Sequence, residues 1–491
     1  MRPCASRPLI TRGAAMRITC LLACASALAG CHGSSSTTAT STNYTVGGSI
    51  SGLTVSSVVL ANGTATVTVA ANATSWVFPT SFVAGSSYSV TVQTQPTGEL
   101  CEVTSGASGM NTGSVGNVTV VCGYGQWTWQ GGSDTVNASG VYGTLGTAAA
   151  GNLPGARYWT SSWTDSSGDF WLFGGVGYDA TGATGYLNDL WRYTPSTGQW
   201  TWIGGGNGHN AGGVYGTQGT PSAANVPGAR QAASSWTDSS GNLWLFGGIG
   251  YDSTGATGNL NDLWRYTPST AQWTWISGGN GDNASGVYGT QGTAAAGNVP
   301  GGRNSVGSWI DSSGNLWLFG GYGYDSAGTV GKLNDLWKYS PSSGQWTWIG
   351  GEDAANGNGL YSTLGVAETS ALPGARQAPS TWTDSSGNLW LFGGIGYDAE
   401  AAVGNLNDLW RYSPSTAQWT WVGGASAHGA SGVDGTQGTG SPAAVPGGRN
   451  SMSSWIDSSG NLWLFGGYGY DSAGALGYLN DLWHYDPSTG S

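Results

Sequence analysis

The sequence predicts an all-β protein built mainly from repeated four-stranded units, and three features of its composition support this. The 491 residues include 88 glycines and 27 tryptophans, and only 8% are charged. Long helices need Glu and Lys on their solvent-facing sides, so the low charge argues against a helical or coiled-coil protein. The aromatic content argues against disorder. Many glycines together with many aromatic residues favour short strands joined by tight turns.

From residue 126 onward the chain repeats with a constant period of 73 residues. Gln-Trp-Thr-Trp begins at 126, 199, 272, 345 and 418, and Trp-Leu-Phe-Gly-Gly begins at 171, 244, 317, 390 and 463. Asn-Asp-Leu-Trp follows in every unit, first at 188 and last at 480. Of the 27 tryptophans, 25 occupy repeated positions, and only Trp76 and Trp159 do not. Such regularity indicates one structural unit used five times.

Each unit contains four candidate strands separated by turn sequences. In the second unit they cover 231–237, 242–246, 260–266 and 272–276. Residues 243–246, Leu-Trp-Leu-Phe, are apolar on both faces, as expected for a central strand. Four antiparallel strands per unit, repeated radially, predict a β-propeller over residues 126–491.

The unit resembles the kelch repeat in three respects. It has an arginine on the first strand, a Phe-Gly-Gly ending on the second, and Asn-Asp-Leu-Trp-x-Tyr before a final tryptophan-containing strand. The resemblance covers 126–491 and implies a kelch-type β-propeller. Kelch units are about 50 residues long. One insertion per unit, at 278–301 between the second and third units, accounts for the greater length here.

The two ends of the repeat region predict how the propeller closes. The region starts with a fourth strand at 126–129 and stops after a third strand, so together the two ends complete one blade. This predicts a closed ring of five blades of four strands each. A truncated propeller with more blades is the alternative, because many kelch relatives have six or seven.

The first thirty residues resemble the signal peptide of bacterial lipoproteins. Four arginines lie within residues 1–17, and the apolar run at 18–29 is too short for a stable membrane span. The run ends in Leu-Ala-Gly before Cys31, which resembles the lipobox after which the mature lipoprotein begins with an acylated cysteine. The resemblance implies lipidation of Cys31, a Ser/Thr-rich tether over 31–43, and an outer-membrane location, either periplasmic or surface-exposed.

Residues 44–123 predict a small β-sandwich that precedes the propeller. The segment alternates in the manner of strands, and Asn62-Gly63 is a strong hairpin turn. It resembles the immunoglobulin-like spacer modules of bacterial surface proteins. Once the signal peptide is removed and Cys31 is acylated, Cys101 and Cys122 are the two remaining cysteines. Two cysteines in an exported chain predict a disulfide between them.

The charge of the chain excludes one class of partner. The net charge is −12, and it becomes −16 once the four leader arginines are removed. Nucleic-acid binding requires a basic surface that releases counterions, and the sequence has none.

Charged and aromatic residues that recur in every unit favour structural roles. Asp165, Asp179 and Asp189 each have four equivalents in the other units. Clustered carboxylates could bind calcium, but aspartates in such turn sequences more often accept hydrogen bonds from backbone amides of the turn. Arg157 and its equivalents could form an anion-binding ring, although pairing with the Asn-Asp aspartate of the same unit is favoured. The recurring tryptophans could stack on carbohydrate, but packing between units is the favoured interpretation.

Charged residues and histidines outside the positions that recur in every unit are the candidates for ligand binding. They fall in the loops at one end of the sheets, where the second-to-third loops and the inter-repeat loops lie together. The alternative is that they are neutral surface variation. The candidate ligand-binding residues are His209, Asp282, Glu352, Asp353, His428 and Asp434, accompanied by Asp134, Glu368, Lys332 and Glu400.

The sequence favours a binding module over an enzyme. Kelch propellers include galactose-oxidase-like copper enzymes, which need a cysteine cross-linked to a metal-ligating tyrosine and two histidines. The repeat region has no cysteine, and its histidines are His209, His428 and His484, of which His484 replaces a repeated arginine. We therefore expect no cofactor, no metal site and no catalytic residues. The ligand would be a protein or a glycan; a carbohydrate-active enzyme resembling a mutarotase or lyase is the alternative.

Overall fold

The structure, a computed structural model, describes residues 43–123 and 129–488. Within these ranges all regular elements are β-strands, and no helix is long and apolar enough to cross a membrane. The described residues form two compact units, divided between Trp129 and Gln130. Cys31, the predicted signal peptide and almost all of the predicted tether lie outside the described residues. So do residues 126–128 of the first Gln-Trp-Thr-Trp motif.

The first unit contains two four-stranded sheets. One sheet has the strand order Ser75–Val77, Val46–Ser51, Val115–Gly123, Leu100–Ser105, and the other Ala65–Val69, Val58–Asn62, Ser87–Thr94, Ser108–Met110. A short antiparallel pair joins Asn43–Tyr44 to Phe82–Val83. Both sheets contribute to one apolar core, with Val46 and Val118 from the first and Leu60 and Val90 from the second. Alternating apolar residues therefore form the core, as the strand pattern predicted.

The predicted disulfide is present in this unit. Cys101 and Cys122 lie opposite each other on adjacent antiparallel strands and are bonded. Both side chains are almost fully buried in the core.

The second unit contains five sequence repeats. The first consists of Arg157–Tyr158, Ser161–Thr164, Phe170–Phe173, Val176–Tyr178, Thr184–Tyr186, Leu190–Thr194 and Gln199–Gly204. The second consists of Arg230–Gln231, Ser234–Thr237, Leu243–Phe246, Ile249–Tyr251, Thr257–Asn259, Leu263–Thr267 and Gln272–Ser277. The third consists of Arg303–Asn304, Gly307–Ile310, Leu316–Tyr324, Val330–Ser340 and Gln345–Gly350.

The last two repeats follow the same plan. The fourth consists of Ala367–Glu368, Arg376–Gln377, Ser380–Thr383, Leu389–Tyr397, Val403–Ser413 and Gln418–Gly423, and the fifth of Arg449–Asn450, Ser453–Ile456, Leu462–Tyr470 and Leu476–Tyr485. The first four repeats each form a four-stranded antiparallel sheet in chain order. The all-β prediction is confirmed, and repeated sheets of this kind are the building units of β-propellers.

The Gly-Gly pair that recurs in each repeat forms a bulge, and beyond this bulge the two central strands continue past the four-stranded sheet. In the third repeat Gly320 and Gly321 have φ angles of 65° and 93°, and a Cβ on Gly320 would lie 2.6 Å from the Leu333 carbonyl oxygen. Glycine is therefore required at this bulge. Beyond it, the two central strands continue as a hairpin whose edge pairs with the short arginine strand. This hairpin belongs to the end of the sheets that carries the inter-repeat loops, called the loop-rich end below.

Consecutive repeats pack face to face through their recurring tryptophans. Trp309 of the third repeat is 3% exposed, packs among apolar residues of the fourth, and donates its indole N–H to the Trp390 carbonyl oxygen at 3.0 Å. The same face of each repeat meets the next one at all four junctions. The interpretation of these tryptophans as inter-repeat packing is confirmed.

In the first four repeats the insertion pairs with the fourth strand and covers the outer edge of the sheet. In the second repeat Ser222 pairs with Trp273 of the fourth strand, and Asn225 donates to the Trp273 carbonyl oxygen at 3.1 Å. In the fourth repeat the same contact becomes a short strand, Ala367–Glu368. Covering the fourth strand protects an edge that would otherwise expose unpaired backbone groups.

The two ends of the repeat array expose the faces that the inner repeats bury. Trp455 and Leu482 of the fifth repeat are 54% and 57% exposed, whereas the equivalent Trp309 and Leu336 are 3% and 0% exposed. At the other end Phe170 of the first repeat is 49% exposed. These two surfaces correspond to the two sides of every inner junction.

Candidate functional site

The recurring arginine and aspartate form one ion-paired cluster in each repeat, and a tyrosine joins this cluster in the first four repeats. In the third repeat Arg303 makes a two-point ion pair with Asp335, at 2.6 and 2.8 Å. The same carboxylate accepts hydrogen bonds from the Tyr288 hydroxyl at 2.6 Å and the Trp337 indole at 2.7 Å. Burial, and next the Asp335 charge, raise the pKa of Tyr288 well above its ordinary value. The cluster is fully occupied by its own members, so the arginines form no free anion-binding ring.

The other two recurring aspartates stabilise turns. Asp311 accepts the backbone N–H groups of Ser313 and Asn315 and the indole N–H of Trp317. Asp325 accepts two backbone amides of the hairpin loop that follows it. Across the described ranges no group of three or more His, Cys, Asp or Glu side chains is placed to hold a metal ion. The turn interpretation of these aspartates is therefore confirmed.

Two candidate histidines each pair with a turn aspartate. His209 Nδ1 lies 2.7 Å from Asp179 Oδ2, and His428 Nδ1 lies 2.7 Å from Asp398 Oδ2. Burial alone would raise the pKa of Asp398, but hydrogen bonds from His428 and from backbone amides lower it to about 2. The pKa of Asp179 is lowered in the same way. Both histidine side chains remain more than a third exposed, so each presents its ring to solvent.

The acidic candidates lie in separate inter-repeat loops. Asp282 occupies the position of His209 one repeat later and accepts the Asn283 side-chain N–H at 2.7 Å. Glu352 and Asp353 are exposed in the loop after the third repeat. Burial, followed by the Asp353 charge, raises the pKa of Glu352. Among the described residues no hydrogen bond or ion pair joins a candidate in one loop to a candidate in another, and the six main candidates are dispersed over four inter-repeat loops.

Asp434 replaces a tyrosine of the buried cluster. It stands at the position where Tyr142, Tyr215, Tyr288 and Tyr361 donate their hydroxyl groups to the cluster aspartate. In the fifth repeat Asp481 keeps its arginine, Arg449, but its side chain is 34% exposed. The departure of Asp434 from the repeat therefore coincides with a less buried cluster.

An aromatic groove lies at the loop-rich end between the first two repeats. It has a volume of about 280 Å³. We call this site the aromatic groove. The side chains that define it are Tyr158, Trp159, Tyr186, Asn210, Gln231 and Tyr251. Tyr158 and Trp159 are 57% and 61% exposed, and their ring centroids lie 5.1 Å apart. Exposed neighbouring rings in a concave site are typical of ligand-binding surfaces.

Trp159 is unusual within its own repeat position. The equivalent residues are Ala232, Ser305, Ala378 and Ser451, and all five positions have φ angles between 52° and 55°. Each of the four later residues donates its N–H to the carbonyl oxygen of the equivalent residue in the preceding repeat. A small side chain is therefore sufficient for the backbone here, and the indole of Trp159 has no part in these bonds.

Gln231 lines the groove with an unsatisfied acceptor. It is 8% exposed, and no donor in the described part of the chain lies within hydrogen-bonding distance of its Oε1 atom. At the second junction, between the second and third repeats, the equivalent residue Asn304 donates its side-chain N–H to Asn259 Oδ1 at 2.8 Å. Tyr186 stands where Asn259 would be, so the first junction has an open groove in place of this amide bridge. Buried polar groups without partners are uncommon and costly.

The aromatic groove contains none of the predicted candidates, but one lies beside it. His209 precedes the groove residue Asn210, and both side chains approach Gly185. The off-register position of Trp159 was visible in the sequence. Tyr186 and Gln231 were not identifiable there, since their meeting depends on which positions of two consecutive repeats face each other.

A wider groove of about 650 Å³ lies at the fourth repeat. Tyr361, Glu368 and Trp421 line it. The Tyr361 hydroxyl donates to Asp408 of the buried cluster, so that group already has a structural partner.

Comparisons with known proteins add little beyond the fold. No protein-family model matches the chain, and no curated protein matches it. A solved structure of YjhT aligns with 68% of this chain and 83% of its own length, at 15% sequence identity and a TM-score of 0.40.

Proposed function

We propose that this protein is a surface-anchored lipoprotein whose repeat unit binds a protein or glycan ligand at the loop-rich end. The observation that carries the proposal is the division of labour among repeated positions. Side chains present in every repeat are occupied by structural bonds, such as Arg303 with Asp335. Side chains that do not recur in every repeat are exposed at the loop-rich end, as His209, Asp353 and Trp159 are.

The proposed location follows from the amino-terminal sequence. A lipobox-like cysteine, Cys31, after an arginine-containing apolar leader supports a lipid-anchored protein of the outer membrane. The Ser/Thr-rich segment that follows would act as a tether, and residues 44–123 as an immunoglobulin-like sandwich that spaces the repeat unit from the anchor. The lipid anchor makes the membrane a partner; the acidic chain excludes nucleic acid as one.

The proposed architecture of the repeat unit is a closed kelch-type ring of five blades. The exposed face of the fifth repeat, with Trp455 and Leu482, matches the face that each inner repeat presents to the next. The exposed face of the first repeat, with Phe170, matches the other side of those junctions. Residues 126–129 would add the missing fourth strand to the fifth repeat. Burial of both apolar faces favours closure by the hydrophobic effect.

The test is binding of the full chain, purified in detergent, to a broad glycan array. A matched variant replaces each of the six main candidate residues by the residue found at the same position of another repeat, so that the fold is preserved. The substitutions are His209→Ala, Asp282→Ala, Glu352→Gly, Asp353→Asn, His428→Ala and Asp434→Tyr. A hit that the variant loses supports these loops as the binding surface. A hit that the variant keeps contradicts them, and silence across the array contradicts a glycan ligand in favour of a protein.

One observation favours a carbohydrate-active enzyme as a second candidate. The His209–Asp179 pair lies beside the aromatic groove, and an aspartate that orients a histidine is a common arrangement for a general base. The dispersal of the other candidates over separate loops favours binding alone. Incubation of any sugar that binds with the full chain, followed by NMR of the sugar, would show turnover if this candidate is correct.

A further inference from the structure

We propose that the aromatic groove is a binding site for a neutral pyranose sugar. The proposal deepens the function proposed above, because it rests on a ligand-binding role for the loop-rich end and assigns the ligand class and the residues. None of the six candidate residues from the sequence lines this groove.

The aromatic rings provide the apolar half of the site. Sugar rings present faces of C–H groups that pack on exposed aromatic rings, and Trp159 and Tyr158 are the exposed rings of this groove. Tyr186 and Tyr251 form the neighbouring wall, with ring centroids 5.9 Å apart. Because alanine or serine serves at the Trp159 position in every other repeat, packing of the fold does not explain the indole.

Gln231 provides the polar half of the site. Its Oε1 atom is buried without a donor among the described residues, and Gln231 is one of the residues that line the groove. A sugar hydroxyl is a donor that also accepts, so one hydroxyl would satisfy this carbonyl. At the second and fourth junctions a serine hydroxyl satisfies the equivalent oxygen: Ser305 donates to Asn304 Oδ1 at 2.9 Å and Ser451 donates to Asn450 Oδ1 at 2.8 Å. Among the described residues at this repeat position (Gln231, Asn304, Gln377 and Asn450), Gln231 is the one whose amide oxygen is buried without a donor, and it lies at the groove that carries the exposed rings.

The charge of the groove selects among sugars. Every residue that lines it is uncharged: the lining consists of tyrosine, tryptophan, valine, glycine, asparagine and glutamine. No cation is available there to pair with the carboxylate of an acidic sugar, and the surrounding chain is strongly acidic. The volume of about 280 Å³ lies near the lower end for small-molecule sites, which suits one sugar residue of a longer glycan.

The experiment is titration of the full chain with methyl glycosides of glucose, galactose, mannose and N-acetylglucosamine, followed by saturation-transfer NMR. Methyl glucuronide and methyl N-acetylneuraminide serve as acidic probes. The test variants are Trp159→Ala and Gln231→Leu. The matched control is Tyr322→Ile, which removes a 37% exposed aromatic side chain of the third repeat, outside the groove, and introduces the residue found at this position in the second and fourth repeats.

We expect at least one neutral glycoside to bind the parent protein. Its affinity should fall tenfold or more in both test variants and stay at the parent value in the control variant. The melting temperatures of all three variants should equal that of the parent. Binding that survives Trp159→Ala and Gln231→Leu would overturn the assignment of the site without affecting the broader binding function. Preference for the acidic probes would overturn the neutral class. Failure of every neutral glycoside to bind would overturn the carbohydrate ligand for this groove and leave a protein ligand for the loops.

Discussion

At the scale of single residues, the repeat itself separates structural side chains from functional candidates. The same turn aspartate performs the same task five times, whereas Trp159 differs from all four of its equivalents. A buried ion pair is strongly destabilised when one partner is removed, because the remaining charge stays buried. The cluster around Arg303 is such a pair, with both side chains fully buried.

Replacing Asp335 by Asn should therefore lower the free energy of unfolding of the five-repeat domain by about 3–5 kcal/mol. Asp169→Asn is the matched control, because Asp169 pairs with Arg192 at the surface, where the arginine side chain is 38% exposed, and asparagine stands at this position in the other four repeats. We expect the control to cost about 1 kcal/mol or less, since solvent screens an exposed pair. Urea denaturation followed by circular dichroism compares the two variants. Equal losses would contradict a role for burial in this cluster.

At the scale of elements, the sequence predicted the strands well and their connections less well. In the second repeat the predicted 242–246 and 272–276 correspond to Leu243–Phe246 and Gln272–Ser277. The predicted 231–237 is interrupted at Ala232, whose positive φ no apolar pattern reveals. The insertions were recognised as extra length, but their pairing with the fourth strand was not. Such pairing depends on contacts between distant segments, as does the meeting of Tyr186 with Gln231.

The packing between repeats should weaken at alkaline pH. Burial raises the pKa of Tyr266, Tyr339 and Tyr412 to about 12, above the ordinary value of 10, so the folded state favours the neutral phenols. Their contribution is complete below pH 10 and is lost as the pH rises from 10 toward 12. We expect the melting temperature to fall across this window. Replacing all three residues by Phe should make the fall less steep; an unchanged slope would contradict the assignment.

At the scale of the whole five-repeat domain, the proposed contact between the fifth and the first repeat has the largest structural consequence. Four junctions bury the same pair of faces, and the fifth repeat has an exposed copy of one of them. A closed ring would hide Leu482 as completely as Leu336 is hidden in the third repeat, where it is 0% exposed.

Replacing Leu482 by Glu tests this closure. In a closed ring the carboxylate would be buried without a partner, so the denaturation midpoint should fall nearly as far as for Leu336→Glu, the matched control. Sedimentation velocity on the parent protein and both variants distinguishes closure within one chain from pairing with a second copy. A Leu482→Glu protein as stable as the parent would contradict the closed ring.

The measurement that tests the central claim most directly compares Trp159→Ala with Trp309→Ala for melting temperature and glycan-array binding in parallel. Trp159 departs from its repeat position and is 61% exposed, whereas Trp309 recurs in every repeat and is 3% exposed. We predict that Trp159→Ala keeps the parent melting temperature and loses the array signal. Trp309→Ala should lose about 3–5 kcal/mol of stability. An intact array signal for Trp159→Ala, or a melting temperature lowered as far as in Trp309→Ala, would contradict the account.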